Sequence, residues 1–192
     1  MKTWNWGILG QGVIASQMAD ALMKEHGGIY AVAGRHMNKV LAFAEKYTVQ
    51  HCYDIESLLQ DEAVDIVYIA TPHTYHYDYM MKALRRGKHV LCEKAITVNH
   101  KQLQEVMQLA QEKGLIVMEA MTIFHMPVFQ KARELVESGA IGKLKMLQVN
   151  FGSCKEYDIH NRFFSKELAG GALLDIGVYA VSFALYFLSS KP

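Results

Sequence analysis

The sequence predicts an α/β protein: an N-terminal doubly wound parallel sheet, followed by the beginning of an α+β domain with an incomplete open sheet. Three observations carry this. Short apolar runs alternate with longer helical patterns over the first two thirds of the chain. Residues 64–70 (VDIVYIA) are nearly all apolar, as expected of a strand buried on both faces. A glycine loop, Gly10-Gln11-Gly12-Val13-Ile14-Ala15, joins the first apolar run to the first helical pattern.

The elements follow in order. Residues 4–9 read as a strand and Val13–His26 as a helix. Residues 29–33 form a second strand, with helices over 39–47 and Ile55–Gln60. After strand 64–70 comes a helix over 77–86, stopped by Gly87. His89–Cys92 is a strand, residues 101–113 a helix stopped by Gly114, and 115–118 a further strand. The pattern changes near Glu119. Val128, Ala132, Leu135 and Val136 share one helical face. Residues 143–151 read as a longer strand, and Gly170-Gly171 opens a very apolar helix over 172–188. The expected domains are residues 1–120 and 121–192.

Composition excludes several classes. Of 192 residues, 51% are hydrophobic, enough for a packed core, and the net charge of +1 offers no basic field to nucleic acid. Cys52, Cys92 and Cys154 lie too far apart for a disulfide framework or a CxxC site, which suggests a reducing compartment. The first apolar run is broken by Gly7 and Gly10 and does not read as a signal peptide. The apolar run 172–188 contains Asp175 and falls short of the ~20 residues that span a bilayer. The expectation is a soluble cytoplasmic protein with no membrane partner.

The GxGxxA loop predicts dinucleotide binding on a Rossmann fold. Gly10 permits the tight turn, Gly12 lets a pyrophosphate approach the backbone, and Ala15 allows close helix packing. The first helical N–H groups, near Val13 and Ile14, face the phosphates with the positive end of the helix dipole. After the second strand stands Gly34-Arg35-His36, with no carboxylate for a ribose 2′-hydroxyl. Arg35 is either an ordinary surface arginine or a partner for a 2′-phosphate; on the second reading NADP is the expected cofactor and NAD the second choice.

At this point the chain resembles a known family. GILGQG at 7–12, ATPHTYH at 70–76, CEKA at 92–95 and GGALLDIGVY at 170–179 occur in the order and spacing of the glucose–fructose oxidoreductase/inositol dehydrogenase (Gfo/Idh/MocA) family. The likeness is to its dihydrodiol dehydrogenase-like branch. It implies an NAD(P)-dependent oxidoreductase acting on a hydroxyl-bearing carbon of a sugar, polyol or cyclic diol. It also implies a homo-oligomer built through the second domain, and a protein of ~300 residues or more of which this chain is one part. Thr71, Pro72, His73 and His76 match the family's cofactor loop, with His73 replacing Asn. Glu93 is implied near the nicotinamide ribose and Lys94 at the substrate hydroxyl. Ala95 replaces the family's proline, which removes the rigidity that residue would impose.

Oxidising an alcohol needs a hydride acceptor and a base. Asp175 and Tyr179 are four apart on a predicted helix and share a face. A lone carboxylate in an apolar run is costly unless partnered. The family carries Asp, then His or Tyr, at these positions, which makes Tyr179 the implied acid/base. An ordinary phenol titrates near ~10, and a neighbouring Lys94 ammonium would favour phenolate. Asp175 would orient Lys94 or the substrate. The residues alone leave a second reading open: Asp175 favoured by a helix dipole, and Tyr179 a core residue with its hydroxyl on a carbonyl. A rival function is a non-catalytic dinucleotide-binding sensor, which would keep the glycine loop without needing all three polar groups. His73 and His76 lack a third ligand, so no metal is expected. His125 and His160 are either pocket or surface residues, and Cys92 is a buried strand residue.

Overall fold

The computed structural model describes residues 3–188. The chain divides into two compact units, the first ending at Glu119 and the second beginning at Ala120.

The first unit is a six-stranded parallel sheet with strand order β3-β2-β1-β4-β5-β6. The strands are β1 (Trp6–Leu9), β2 (Ala31–Ala33), β3 (His51–Tyr53), β4 (Ile66–Ile69), β5 (His89–Cys92) and β6 (Val117–Glu119). The helices are α1 (Val13–His26), α2 (Met37–Tyr47), α3 (Ile55–Gln60), α4 (His76–Arg85) and α5 (His100–Lys113). The strand order reverses between β1 and β4, and such a switch point opens a crevice at the carboxyl ends of the strands. Leu9, Val67 and Ile69 from the sheet, with Met80, Leu84 and Val106 from α4 and α5, are fully buried in the core. Helix ends follow local chemistry. Asp54 and Asn99 cap α3 and α5 through Ser57 N–H (2.8 Å) and Gln102 N–H (3.0 Å). Gly114 closes α5 at φ 64°, in the left-handed region.

The strand β3 was not expected. It lies at the sheet edge, is only half-buried, and carries no apolar run.

The second unit holds α6 (Pro127–Glu137) and α7 (Val178–Phe187). Phe129 meets Phe183 edge to face at 5.5 Å, and the Arg133 guanidinium lies over the Tyr186 ring at 4.8 Å. The strand expected over residues 143–151 is not formed. Its alternation is real, but no second strand lies in this unit among the described residues, and an unpaired strand has no ladder. Met146 and Phe151 are accordingly exposed. The helix expected over 172–188 begins as a π turn, Leu173–Gly177, before α7. The helical stretch Lys166–Phe187 is long and apolar enough to cross a membrane by length and composition, at 22 residues and mean hydropathy 1.7. It is not one uninterrupted apolar helix: Ala169 (φ 55°) and Gly171 (φ 115°) break the backbone before Leu173.

Candidate cofactor site

The carboxyl ends of β1, β2, β4 and β5 gather most of the expected site residues. Gly10 leaves β1 at φ 108°, and a Cβ there would stand 2.4 Å from the Ala70 carbonyl oxygen. Only glycine fits this turn. Its N–H donates to the Ala33 carbonyl at 3.0 Å, which ties the loop to β2. Gly12 caps α1 with no side-chain partner, no acid stands in the first turn, and a Cβ at Gly12 would meet nothing within 4 Å. Val13 and Ile14 are exposed and Ala15 is fully buried. The start of α1 therefore offers unpaired N–H groups beside open space, as a pyrophosphate requires.

Gln11 was not expected to matter. Its Nε2 donates to the Ala33 carbonyl at 2.7 Å, and its amide lies where a Cβ on Gly34 would be, at 2.3 Å from Oε1. Gly34 and Gln11 thus lock the glycine loop against the end of β2. Arg35 is exposed just beyond, and no acid stands in the first turn of α2 to compete for it.

The loop after β4 supplies the next wall. Thr71 Oγ1 is buried without a hydrogen-bond partner, an orphan polar atom that a bound group can satisfy. Pro72 leads into the 3₁₀ turn His73–Tyr75. His73 Nε2 lies 3.1 Å from the Lys94 carbonyl. His76 is fully buried, with Nδ1 2.9 Å from the Ala95 carbonyl and Nε2 2.8 Å from the Thr71 carbonyl. These two bonds clamp the β4 loop to the β5 loop. Burial pushes its pKa down, against the pull of the two carbonyls. In the neutral ring only one of the two nitrogens donates. No cluster of potential metal ligands occurs among the described residues.

Lys94 sits in a turn held from several sides. The Lys94–Ala95 peptide is cis. Beside the two histidines, Glu119 at the end of β6 accepts the Ile96 N–H at 2.9 Å. Burial raises the Glu119 pKa, the Ile96 N–H opposes this, and the Glu93 charge adds to the rise. Glu93 itself is fastened from within the sheet: the buried Tyr68 hydroxyl donates to Glu93 Oε1 at 2.5 Å. Burial, then this bond, pushes the Tyr68 phenol far up. The rigidity expected from a proline is supplied here by side chains. Cys92 is fully buried and burial pushes its thiol up, so it is no nucleophile.

In the second unit, Asp175 lies half-buried in the π turn, its N–H on the Gly171 carbonyl at 3.3 Å. Tyr179 follows in α7, half-buried, with its ring 5.7 Å from that of Phe151. The π turn is a feature the even helical spacing did not reveal, and such turns occur often at functional sites. His125 and His160 are exposed.

Comparison with known proteins agrees with this geometry. Residues 4–121 match the profile of an oxidoreductase family with an NAD-binding Rossmann fold. Residues 129–192 match that of the GFO/IDH/MocA C-terminal domain. Trans-1,2-dihydrobenzene-1,2-diol dehydrogenases are similar: that of Xenopus tropicalis is 34% identical and that of Homo sapiens 35%, each over 193 residues and 97% of this chain. The match covers 58% and 57% of those proteins, so the chain spans little more than half their length. A 3-ketoreductase from Actinomadura kijaniata, solved with NADP and TDP-benzene, is 27% identical with a TM-score of 0.84. It matches over 97% of this chain and 57% of its own. The first unit is an NAD(P)-binding Rossmann domain, and the chain belongs to the Gfo/Idh/MocA oxidoreductase family.

Proposed function

We propose that the protein is an NADP-preferring oxidoreductase acting on the hydroxyl-bearing carbon of a cyclic diol, sugar or polyol. The observation that carries this is the convergence of an acid-free glycine loop, Arg35, the orphan Thr71 hydroxyl and the fastened Glu93-Lys94 turn at the carboxyl ends of neighbouring strands. NADP supplies the hydride acceptor or donor when bound. Gly10, Gly12, Val13 and Ile14 hold its pyrophosphate through backbone, Arg35 its 2′-phosphate, and Thr71, Pro72, His73 and Glu93 its nicotinamide half. Tyr179 is the acid/base for the substrate hydroxyl, Lys94 a cation at that hydroxyl, and Asp175 their orienting carboxylate. Support for these three roles is the residue chemistry and the family to which the chain belongs. The same reading puts the protein in the cytoplasm, with a small-molecule substrate, no nucleic-acid or membrane partner, and self-association through the second unit.

The test is single-turnover hydride transfer, followed by NADPH absorbance, against a panel of cyclic diols, aldoses and polyols. A catalytically competent form is expected to transfer hydride, and Tyr179→Phe to lower kcat by about 10²–10⁴ with cofactor affinity unchanged. Cofactor binding without transfer to any class in the panel would favour the sensor, and full activity in Tyr179→Phe would remove the phenol from the mechanism.

A further inference from the structure

An arginine on an exposed strand end ordinarily samples many rotamers, and a phosphate must order it on binding. Arg35 is not left in that condition. Its Nη1 donates to the Tyr75 hydroxyl at 2.9 Å, and its guanidinium carbon lies 4.6 Å from the centroid of the same ring. Tyr75 is itself held. It closes the 3₁₀ turn His73–Tyr75 with its N–H on the Pro72 carbonyl at 3.0 Å. Its ring stacks on the buried Tyr79 of α4 at 5.9 Å and 14°. The chain of support runs from the core through Tyr79 and Tyr75 to the guanidinium. One of the five guanidinium N–H groups is spent on Tyr75, which leaves the rest of the fork for phosphate oxygens.

We propose that Tyr75 is a positioning residue for cofactor selection: it holds the Arg35 guanidinium ready for the 2′-phosphate of NADP. This rests on the reading of Arg35 given above. The loop after β4 thereby serves both halves of the dinucleotide, with Thr71 toward the nicotinamide and Tyr75 toward the adenosine phosphate.

The test is a set of dissociation constants on the 192-residue chain for NADPH, NADH, 2′,5′-ADP and 5′-AMP. Tyr75→Phe keeps the ring and removes the hydroxyl, and Tyr75→Ala removes both. NADPH and 2′,5′-ADP are expected to weaken about threefold in Tyr75→Phe and about tenfold in Tyr75→Ala. NADH and 5′-AMP are expected to stay within about twofold of the parent. Equal weakening of phosphorylated and unphosphorylated ligands would make Tyr75 merely structural and overturn the proposal. So would unchanged constants in Tyr75→Ala. A parent chain with no preference for NADPH would instead overturn the reading of Arg35, and this proposal with it.

Discussion

The two units differ in what their helices cover. In the first, buried side chains lie on α1 to α5 and on the four inner strands β2, β1, β4 and β5. In the second, neither α6 nor α7 contains a buried residue, although α7 is apolar along its length. What separates them is the presence of a sheet. A helix with an apolar face gains stability only against a surface that receives it, and the first unit supplies one. The second unit contacts its own elements through aromatic edges such as Phe129–Phe183, which contribute far less than a closed core.

Paired truncations break or sharpen this contrast. Leu84 is fully buried in α4, and Leu185 in α7 is 46% exposed. Leu84→Ala is expected to cost about 3 kcal/mol in urea unfolding, within the range of large-to-small core changes. Leu185→Ala is expected to cost less than about 1 kcal/mol. Comparable losses at the two positions would show that the second unit has a covered core in solution, and the contrast would fail.

A smaller effect is expected where polar groups complete the first unit. Tyr68→Phe removes the buried donor to Glu93 and leaves that carboxylate short of a partner. The expected loss is about 1.5–3 kcal/mol, as for a hydrogen bond to a charged group. Tyr68→Phe without any loss of stability would show that Glu93 finds another donor and that the turn is not fastened from the sheet.

The smallest effect is one of sign rather than size, at the last strand residue before the division. Burial raises the folded-state pKa of Glu119 above its unfolded value. Between those two values the folded chain keeps a proton that the unfolded chain has lost, so this group's contribution falls as pH rises through that window. Glu119→Gln keeps an oxygen for the Ile96 N–H and removes the charge. The variant is expected to melt above the parent at neutral pH, with the gap closing below the ordinary carboxylate range. A gap independent of pH, or one of opposite sign, would contradict the account of Glu119.

These contrasts also explain what the sequence could and could not disclose. Local patterns recovered α1, α3 and β5 to the residue and placed the glycine loop, because propensity, capping and burial all agree there. The strand His51–Tyr53 escaped because an edge strand needs no apolar run. Residues 143–151 misled because alternation marks a surface that can pair but says nothing of a partner. In the site, the tight turn at Gly10 was legible from position alone. The clamp made by His76 was not, because its partners Thr71 and Ala95 meet only through the pairing of β4 with β5. The Tyr68–Glu93 bond is hidden for the same reason: the register sets Ile69 opposite Cys92, which brings Glu93 beside β4.

The proposal that most needs a test is that the NAD(P)-binding first unit prefers the phosphorylated dinucleotide. Calorimetric titration of the 192-residue chain with NADPH and with NADH tests it most directly. The account predicts saturable binding of NADPH at least about tenfold tighter than NADH, with the ratio shrinking in Arg35→Ala. Equal dissociation constants for the two cofactors, or a ratio unchanged in Arg35→Ala, would contradict it.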